Sequence, residues 1–336
     1  MSISEIIVQS DIMTLEDADL ESRGKHLPVL IIAYARPALT RQLLESLKSC
    51  GIEKVYISLD GPKNNSIKQL QDEIRSTVAE LESDNFKIIV RQNEANLGVA
   101  LGVIRALDWF FSQCREGIIL EDDLVISKKF IEFCDWGLQE IKNFPKCLLV
   151  SGYVLSPFVT QNNEAFFCNY PMIWGWATNS ERWLLIRELI IRKKVFEFRI
   201  IFNRRLQFWY VGAARANLGF VDTWDTQLAY EFVNEFYYCL LPKTALVNNV
   251  GFDSSATHTK KPPRIAIQEL TDYLYTIPAK HIHPEALIYP GKYEELFEKE
   301  IYRISCRNYF SIYKFWIEKI FKSDFRESLR DRISWS

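Results

Sequence analysis

Three consecutive carboxylates, Glu121, Asp122 and Asp123, follow the short apolar run Gly117–Leu120. Carboxylates left unpaired at the end of a buried strand are costly, so a cation is their natural partner. Hard oxygen ligands suit Mg²⁺ or Mn²⁺, which usually share their coordination shell with a substrate phosphate. A chain with 43 acidic residues among 336 would carry such a triplet by chance about as often as not, so position gives it weight. The competing possibility is that Asp122 or Asp123 caps a helix starting near Ser127.

Other chemistry-bearing segments are fewer. The sequence has no GxGxxG and no GxxxxGK[ST], so the common phosphate loops are missing and phosphates would be held by a metal, by basic side chains, or by both. The polar stretch Asn249–Lys261 carries Ser254, Ser255 and His258 and has the composition of a lid with hydrogen-bond donors, or of an ordinary solvated loop. Pro171–Trp183 holds Trp174, Trp176 and Trp183, whose faces could stack on sugar rings or simply fill a core. Val221–Gln227 sets Asp222 and Asp225 beside Trp224, and Asp225 stands before a helical run, where an N-cap is its plain reading.

The elements that would position these residues alternate regularly between 27 and 151. Short apolar runs at Leu27–Ala33, Val55–Leu59, Phe86–Val90, Gly117–Leu120 and Leu148–Val150 have the length of buried strands. Between them lie helical patterns. One starts at Pro37 with Leu39, Leu43, Leu44 and Leu47 on one face, and a second carries Ile67, Leu70, Ile74, Val78 and Leu81. Val99–Phe111 and Lys128–Asn143 complete the set, and the whole predicts a largely parallel sheet covered by helices on both faces. Ligands of such sheets bind beyond the carboxyl ends of the strands, where Arg36, Asp60, Asn96 and the acidic triplet all fall. Beyond 151 the alternation stops, with helices predicted only at Ser180–Ile191 and Asp225–Phe236.

Composition narrows the class. An apolar share of 48% excludes a disordered chain, and 41 basic against 43 acidic residues argues against a protein built to hold nucleic acid. Seven cysteines, an odd number with no CxxC, point to buried thiols in a reducing compartment. No apolar run is long enough to span a membrane, and the acidic first 22 residues lack the basic start of a secretory signal, so a cytoplasmic location is expected. Arg303–Ser336 holds eight basic residues against four acidic ones, interleaved with aromatics. Such a helix could rest on an anionic membrane surface, at the inner face of the cytoplasmic membrane, or pack on the protein body.

Taken in order, Arg36, SLDGP around Asp60, NLGVALGVIRALDWF, EDDLVISKKFIEF, the Trp-rich segment, TWD and VGFDSSATHT resemble nucleotide-sugar glycosyltransferases of the GT-A fold. The likeness is to the Golgi N-acetylglucosaminyltransferase I group and its bacterial relatives, and it covers about residues 27–262. It implies a Rossmann-like, mixed but mostly parallel sheet, an irregular acceptor half and a helical C-terminal extension. The boundaries it suggests are an acidic arm at 1–26, a donor half at 27–151, an acceptor half with lid at 152–262, and the extension at 263–336.

The resemblance also implies roles. Arg36, Asp60 and Asn96 would meet the nucleoside end of a UDP-sugar; Glu121 and Asp122 would contact ribose or sugar; Asp123 would bind Mn²⁺ or Mg²⁺; Ser254, Ser255 and His258 would close over the donor. Asp225 would be the general base, with Asp222 or Glu231 next in line, and Trp174, Trp176 and Trp224 would line the acceptor site. The implied reaction is a metal-dependent, inverting sugar transfer to a glycan or lipid-linked hydroxyl in surface polysaccharide synthesis. Two other classes share parts of this pattern. A sugar nucleotidyltransferase would usually show a Gly-rich basic loop after the first strand, which Tyr34–Thr40 lacks; a non-catalytic glycan-binding protein would tolerate loss of the acids, which are present.

Overall fold

In a computed structural model, the structure describes residues 26–154, 165–192, 194, 200, 203–251, 293–295 and 298. The N-terminal arm, the Ser254–His258 segment and the stretch 303–336 lie outside the described residues.

The apolar runs become strands β1 (Val29–Ala33), β2 (Lys54–Leu59), β3 (Lys87–Gln92), β4 (Glu116–Glu121) and β6 (Cys147–Ser151). A short β5 (Leu124–Ile126) follows the acidic triplet, and β7 (Ala165–Cys168), β8 (Trp176–Asn179), β9 (Tyr238–Pro242) and β10 (Val247–Asn249) come from the second half. One sheet runs in the order β3-β2-β1-β4-β8-β6-β9-β7, and β5 pairs with β10 in a separate ribbon. Strands β3, β2, β1 and β4 are mutually parallel, as are β6 and β9, whereas β8 and β7 run antiparallel to their neighbours. The fold is therefore a mixed, mostly parallel, Rossmann-like α/β sheet. The antiparallel insertion of β8 between β4 and β6 joins the second half of the sequence to the first by backbone hydrogen bonds.

Helices cover both faces, and the pleat sorts the strand residues between them. Val29, Ile31 and Ala33 face one core with helices α1 (Pro37–Ser49), α2 (Asn65–Leu81) and α4 (Lys128–Glu140). Leu30, Tyr56 and Ile119 face the other, with α3 (Gly98–Phe111), α5 (Ser180–Ile191), α6 (Arg204–Asn217) and α7 (Asp225–Glu235).

Local chemistry sets the helix starts. Pro37 opens α1, Asn64 caps α2 by accepting from Ile67 N–H at 2.9 Å, and Ser127 caps α4 by accepting from Phe130 N–H at 3.2 Å. Because Ser127 fills that role, neither Asp122 nor Asp123 does. Helix α6 escaped sequence prediction, although Asn203 caps it and Leu206, Trp209, Tyr210, Ala213 and Ala216 form its buried stripe. Its Gly212 faces Thr226 of α7, where a Cβ would sit in ordinary contact at 3.4 Å. Among the described residues no helix is long and apolar enough to cross a membrane.

The cysteines behave as small apolar groups. Cys114, Cys134, Cys147, Cys168 and Cys239 are buried, and burial pushes the Cys147 thiol up to about 12.

Candidate functional site

The acidic triplet sits where β4 ends and turns into β5, at the carboxyl edge of the parallel strands. Its nearest cation belongs to the chain itself. Arg36, the residue before α1, places Nη1 2.6 Å from Asp123 Oδ2 and 3.2 Å from Asp122 Oδ1. Asp122 also accepts the backbone N–H of Tyr34 at 3.2 Å. The resemblance assigns Arg36 to a nucleoside; in the structure its guanidinium is turned onto the acids instead, because two buried carboxylates need a counter-charge.

The three acids are not equivalent. Glu121 is half-buried, and its carboxylate accepts no hydrogen bond from the described residues. Burial pushes its carboxyl up to about 8, with Asp123, Asp122 and Asp225 adding to the rise and Arg36 opposing it. Burial also raises Asp122, to about 6; Asp123 adds to this, while Arg36 and the Tyr34 N–H hold it down. Its surroundings thus favour the protonated form of Glu121, in which it can donate a hydrogen bond. Asp123 Oδ1 is buried with no hydrogen-bond partner among the described residues, an orphan acceptor in a charged site. The hydroxyls of Tyr34 and Tyr153, which follow β1 and β6, are likewise buried and unpartnered. Neither tyrosine was picked out from sequence, and their place just after a buried strand was the signal available.

The ribbon of β5 and β10 brings the stem of the Asn249–Lys261 segment onto the triplet. Val250 N–H donates to the Asp123 carbonyl at 2.9 Å, and a Cβ on Gly251 would fall 1.9 Å from Asp123 Oδ2. Only a glycine lets the backbone pass this close to the carboxylate.

Asp225 is the first residue of α7, after Trp224, and it is half-buried. Its Oδ1 accepts the Thr223 hydroxyl and, at 2.7 Å, the Thr226 N–H. Oδ2 accepts nothing from the described residues, so one oxygen is fixed and the other open. Asp225 is among the charges that raise the Glu121 carboxyl, although the two are far apart in sequence.

Several other candidates turn out to be structural. The Asp60 carboxylate accepts from Gly61 N–H, Asn93 Nδ2, Asn96 Nδ2, Leu97 N–H and Gly98 N–H at 2.9–3.2 Å. Its lone pairs are filled, so it ties β2 to the start of α3 and leaves no acceptor for a ribose hydroxyl. Asn96 is held in the same knot by Asp60 and the Gly61 carbonyl. Trp176 and Trp224 are 1% and 4% exposed, stacked obliquely in the core with ring centroids 6.2 Å apart, and cannot face an acceptor. Trp183 is buried too, its indole N–H bound to Asp108 at 3.0 Å. Trp174 alone of the proposed acceptor tryptophans is partly exposed, edge-on to Tyr153 with centroids 4.6 Å apart. Glu231 is buried against Lys194 Nζ at 2.7 Å, and the Asp222 carboxylate binds the start of α3, so neither is a spare base.

Among the described residues, no three His, Cys, Asp or Glu side chains converge into a cage for a metal ion. The buried Asp123 Oδ1, without a hydrogen-bond partner among the described residues, is a hard oxygen of the kind a divalent cation takes as a ligand.

No protein family model matches the chain, and no curated protein sequence matches it. Solved structures do match. One of them, 4-diphosphocytidyl-2C-methyl-D-erythritol synthase from Anaerococcus prevotii DSM 20548, is 10% identical, with a TM-score of 0.33 over 53% of this chain and 83% of that one. A likeness of that degree says nothing about the reaction.

Proposed function

We propose that this chain is a GT-A-type glycosyltransferase that moves a sugar, with inversion, from a nucleotide-sugar to a hydroxyl of a glycan or lipid-linked acceptor. A UDP-sugar is the expected donor, by the resemblance of the EDDL segment. The observation that supports this most is the pairing of a strand-end acidic triplet with a base-like Asp225 whose charge reaches Glu121.

Asp123 would hold Mn²⁺ or Mg²⁺ through its orphaned oxygen, and such an ion supplies Lewis-acid neutralisation of a leaving diphosphate. The chain's own residues do the rest. Arg36 brings a positive charge to the same edge of the sheet, suited to phosphate oxygens. Glu121 contacts a hydroxyl of the donor's ribose or sugar. Asp225 Oδ2 accepts the proton of the acceptor hydroxyl as its oxygen attacks the anomeric carbon. The bond from that carbon to the diphosphate breaks, its electron pair leaves with the nucleoside diphosphate, and the new glycosidic bond forms on the opposite face. Trp174 is the remaining aromatic for a sugar face.

The test is to incubate the full chain with UDP-sugars, Mn²⁺ and glycan or lipid-linked acceptors, and to follow UDP release and the mass of the product, with EDTA as control. Metal-dependent UDP release with a glycosylated product is the expected result. Pyrophosphate release from a nucleoside triphosphate and a sugar 1-phosphate would instead mark a nucleotidyltransferase. The absence of both donor binding and UDP release with every sugar nucleotide tried would overturn the proposal.

A further inference from the structure

Helix α3 has no capping side chain of its own, since Leu97 stands at its N-cap. The four leading N–H groups of a helix have no partner within it. Here they are Leu97, Gly98, Val99 and Ala100, and two carboxylates from distant segments take them all. Asp60, at the end of β2, accepts from Leu97 at 2.9 Å and Gly98 at 3.1 Å. Asp222, in the loop between α6 and α7, accepts from Val99 at 2.7 Å and Ala100 at 2.9 Å. Gly98, at φ +78°, makes room for the second carboxylate: a Cβ there would fall 2.3 Å from Asp222 Oδ2. The helix dipole favours both charges.

Asp222 lies three residues before Asp225. The loop between α6 and α7 is thus held at two points, by the exposed Asp222 clasp on α3 and by the buried Trp224 against Trp176. We propose that Asp222 is a positioning residue, whose bidentate grip on the start of α3 fixes the Val221–Asp225 loop and with it the carboxylate of Asp225. This rests on Asp225 being the base; the clasp itself does not. Asp222 has no catalytic contact in this scheme; each of its oxygens accepts one backbone N–H of α3. Its exposure makes the clasp a minor contributor to global stability and a large one to local order.

Asp222→Ala in the full chain tests this by hydrogen exchange and kinetics together. Exchange is expected to quicken at Val99, Ala100 and across 219–226, with β1 and β4 unchanged and Tm lowered by no more than about 4 °C. Donor Kd should stay within about twofold while kcat falls about 10- to 100-fold, as for a misplaced reacting group. The pH profile of kcat should keep its midpoint. Asp222→Asn, which retains one strong acceptor, should recover part of both effects, and it serves as the test variant if Asp222→Ala does not fold. Wild-type exchange in 98–100 and 219–226 would overturn the clasp. A shifted pH midpoint would overturn the positioning role, because Asp222 would then itself exchange protons with substrate. If the wild type turns over no donor, the base assignment of Asp225 falls, while the exchange data still decide the clasp.

Discussion

Arg36 Nη1 lies 2.6 Å from Asp123 and 3.2 Å from Asp122, so the acidic triplet carries its own counter-ion. All three side chains are mostly buried, at 19%, 9% and 8% exposure. Arg36→Met leaves two carboxylates without that charge, and removing one partner of a buried pair costs on the order of 3 kcal/mol. A thermal melt should show the loss, and Mn²⁺ should raise Tm more in the variant than in the wild type. An unchanged Tm with no added response to metal would mean that the ion pair is not what balances the triplet.

Asp123→Ala removes the buried carboxylate oxygen of the triplet that has no partner among the described residues. Calorimetry should find Mn²⁺-dependent UDP binding abolished and the fold intact by circular dichroism. Tight, metal-dependent binding in the variant would move the metal to another residue.

Asp225→Asn keeps the hydrogen bonds from Thr223 and Thr226, which need only an acceptor oxygen at Oδ1. Donor binding should be unchanged and turnover should fall about 10²- to 10⁴-fold, the usual worth of a general base. Wild-type turnover would place the base elsewhere, and not at Glu231, whose carboxylate is buried against Lys194.

Glu294 accepts the Asn169 N–H at 2.6 Å and is 4% exposed. Burial pushes its carboxyl up to about 7, Asn169 and Arg205 opposing and Glu298 assisting. The folded state therefore binds the proton more tightly than the unfolded chain, whose Glu titrates near about 4.3. Stability from this group is complete below that value and is lost as pH rises to about 7. Glu294→Gln should flatten this part of the pH–stability curve and be the more stable protein above pH 7, by on the order of 1–3 kcal/mol in urea melts. Parallel curves for the two proteins would contradict the raised pKa.

Lys194 and Glu231 form an ion pair whose side chains are 1% and 3% exposed. Lys194→Met alone should cost about 3–5 kcal/mol, since it strands a buried carboxylate. Adding Glu231→Leu should recover most of that loss, which denaturant titration of both variants would measure. Additive losses would show that packing, not charge, sets the cost.

The first half of the fold was plain in the sequence because each strand there is a continuous apolar run and each helix a regular stripe. Both patterns depend only on local periodicity, which is why Ser180–Ile191 also came out with its observed ends. The acidic triplet was legible for the same reason, by following directly on such a run. Strands β7 to β10 were missed. They are three to five residues long, and Trp176–Asn179 is a strand only because β4 and β6 supply partners on either side.

Side-chain roles needed the tertiary structure. The sequence alone determined that polar groups gather at one edge of a parallel sheet, since residue type and strand ends are local facts. It could not tell a spent carboxylate from a free one. Asp60 and Asp222 look like Asp123 and Asp225 on paper, yet the start of α3 consumes the first pair, and Trp176 and Trp224 are closed off by each other. Whether an acid has a donor left to meet depends on backbone brought in from as far as 123 positions away, and only folding brings it.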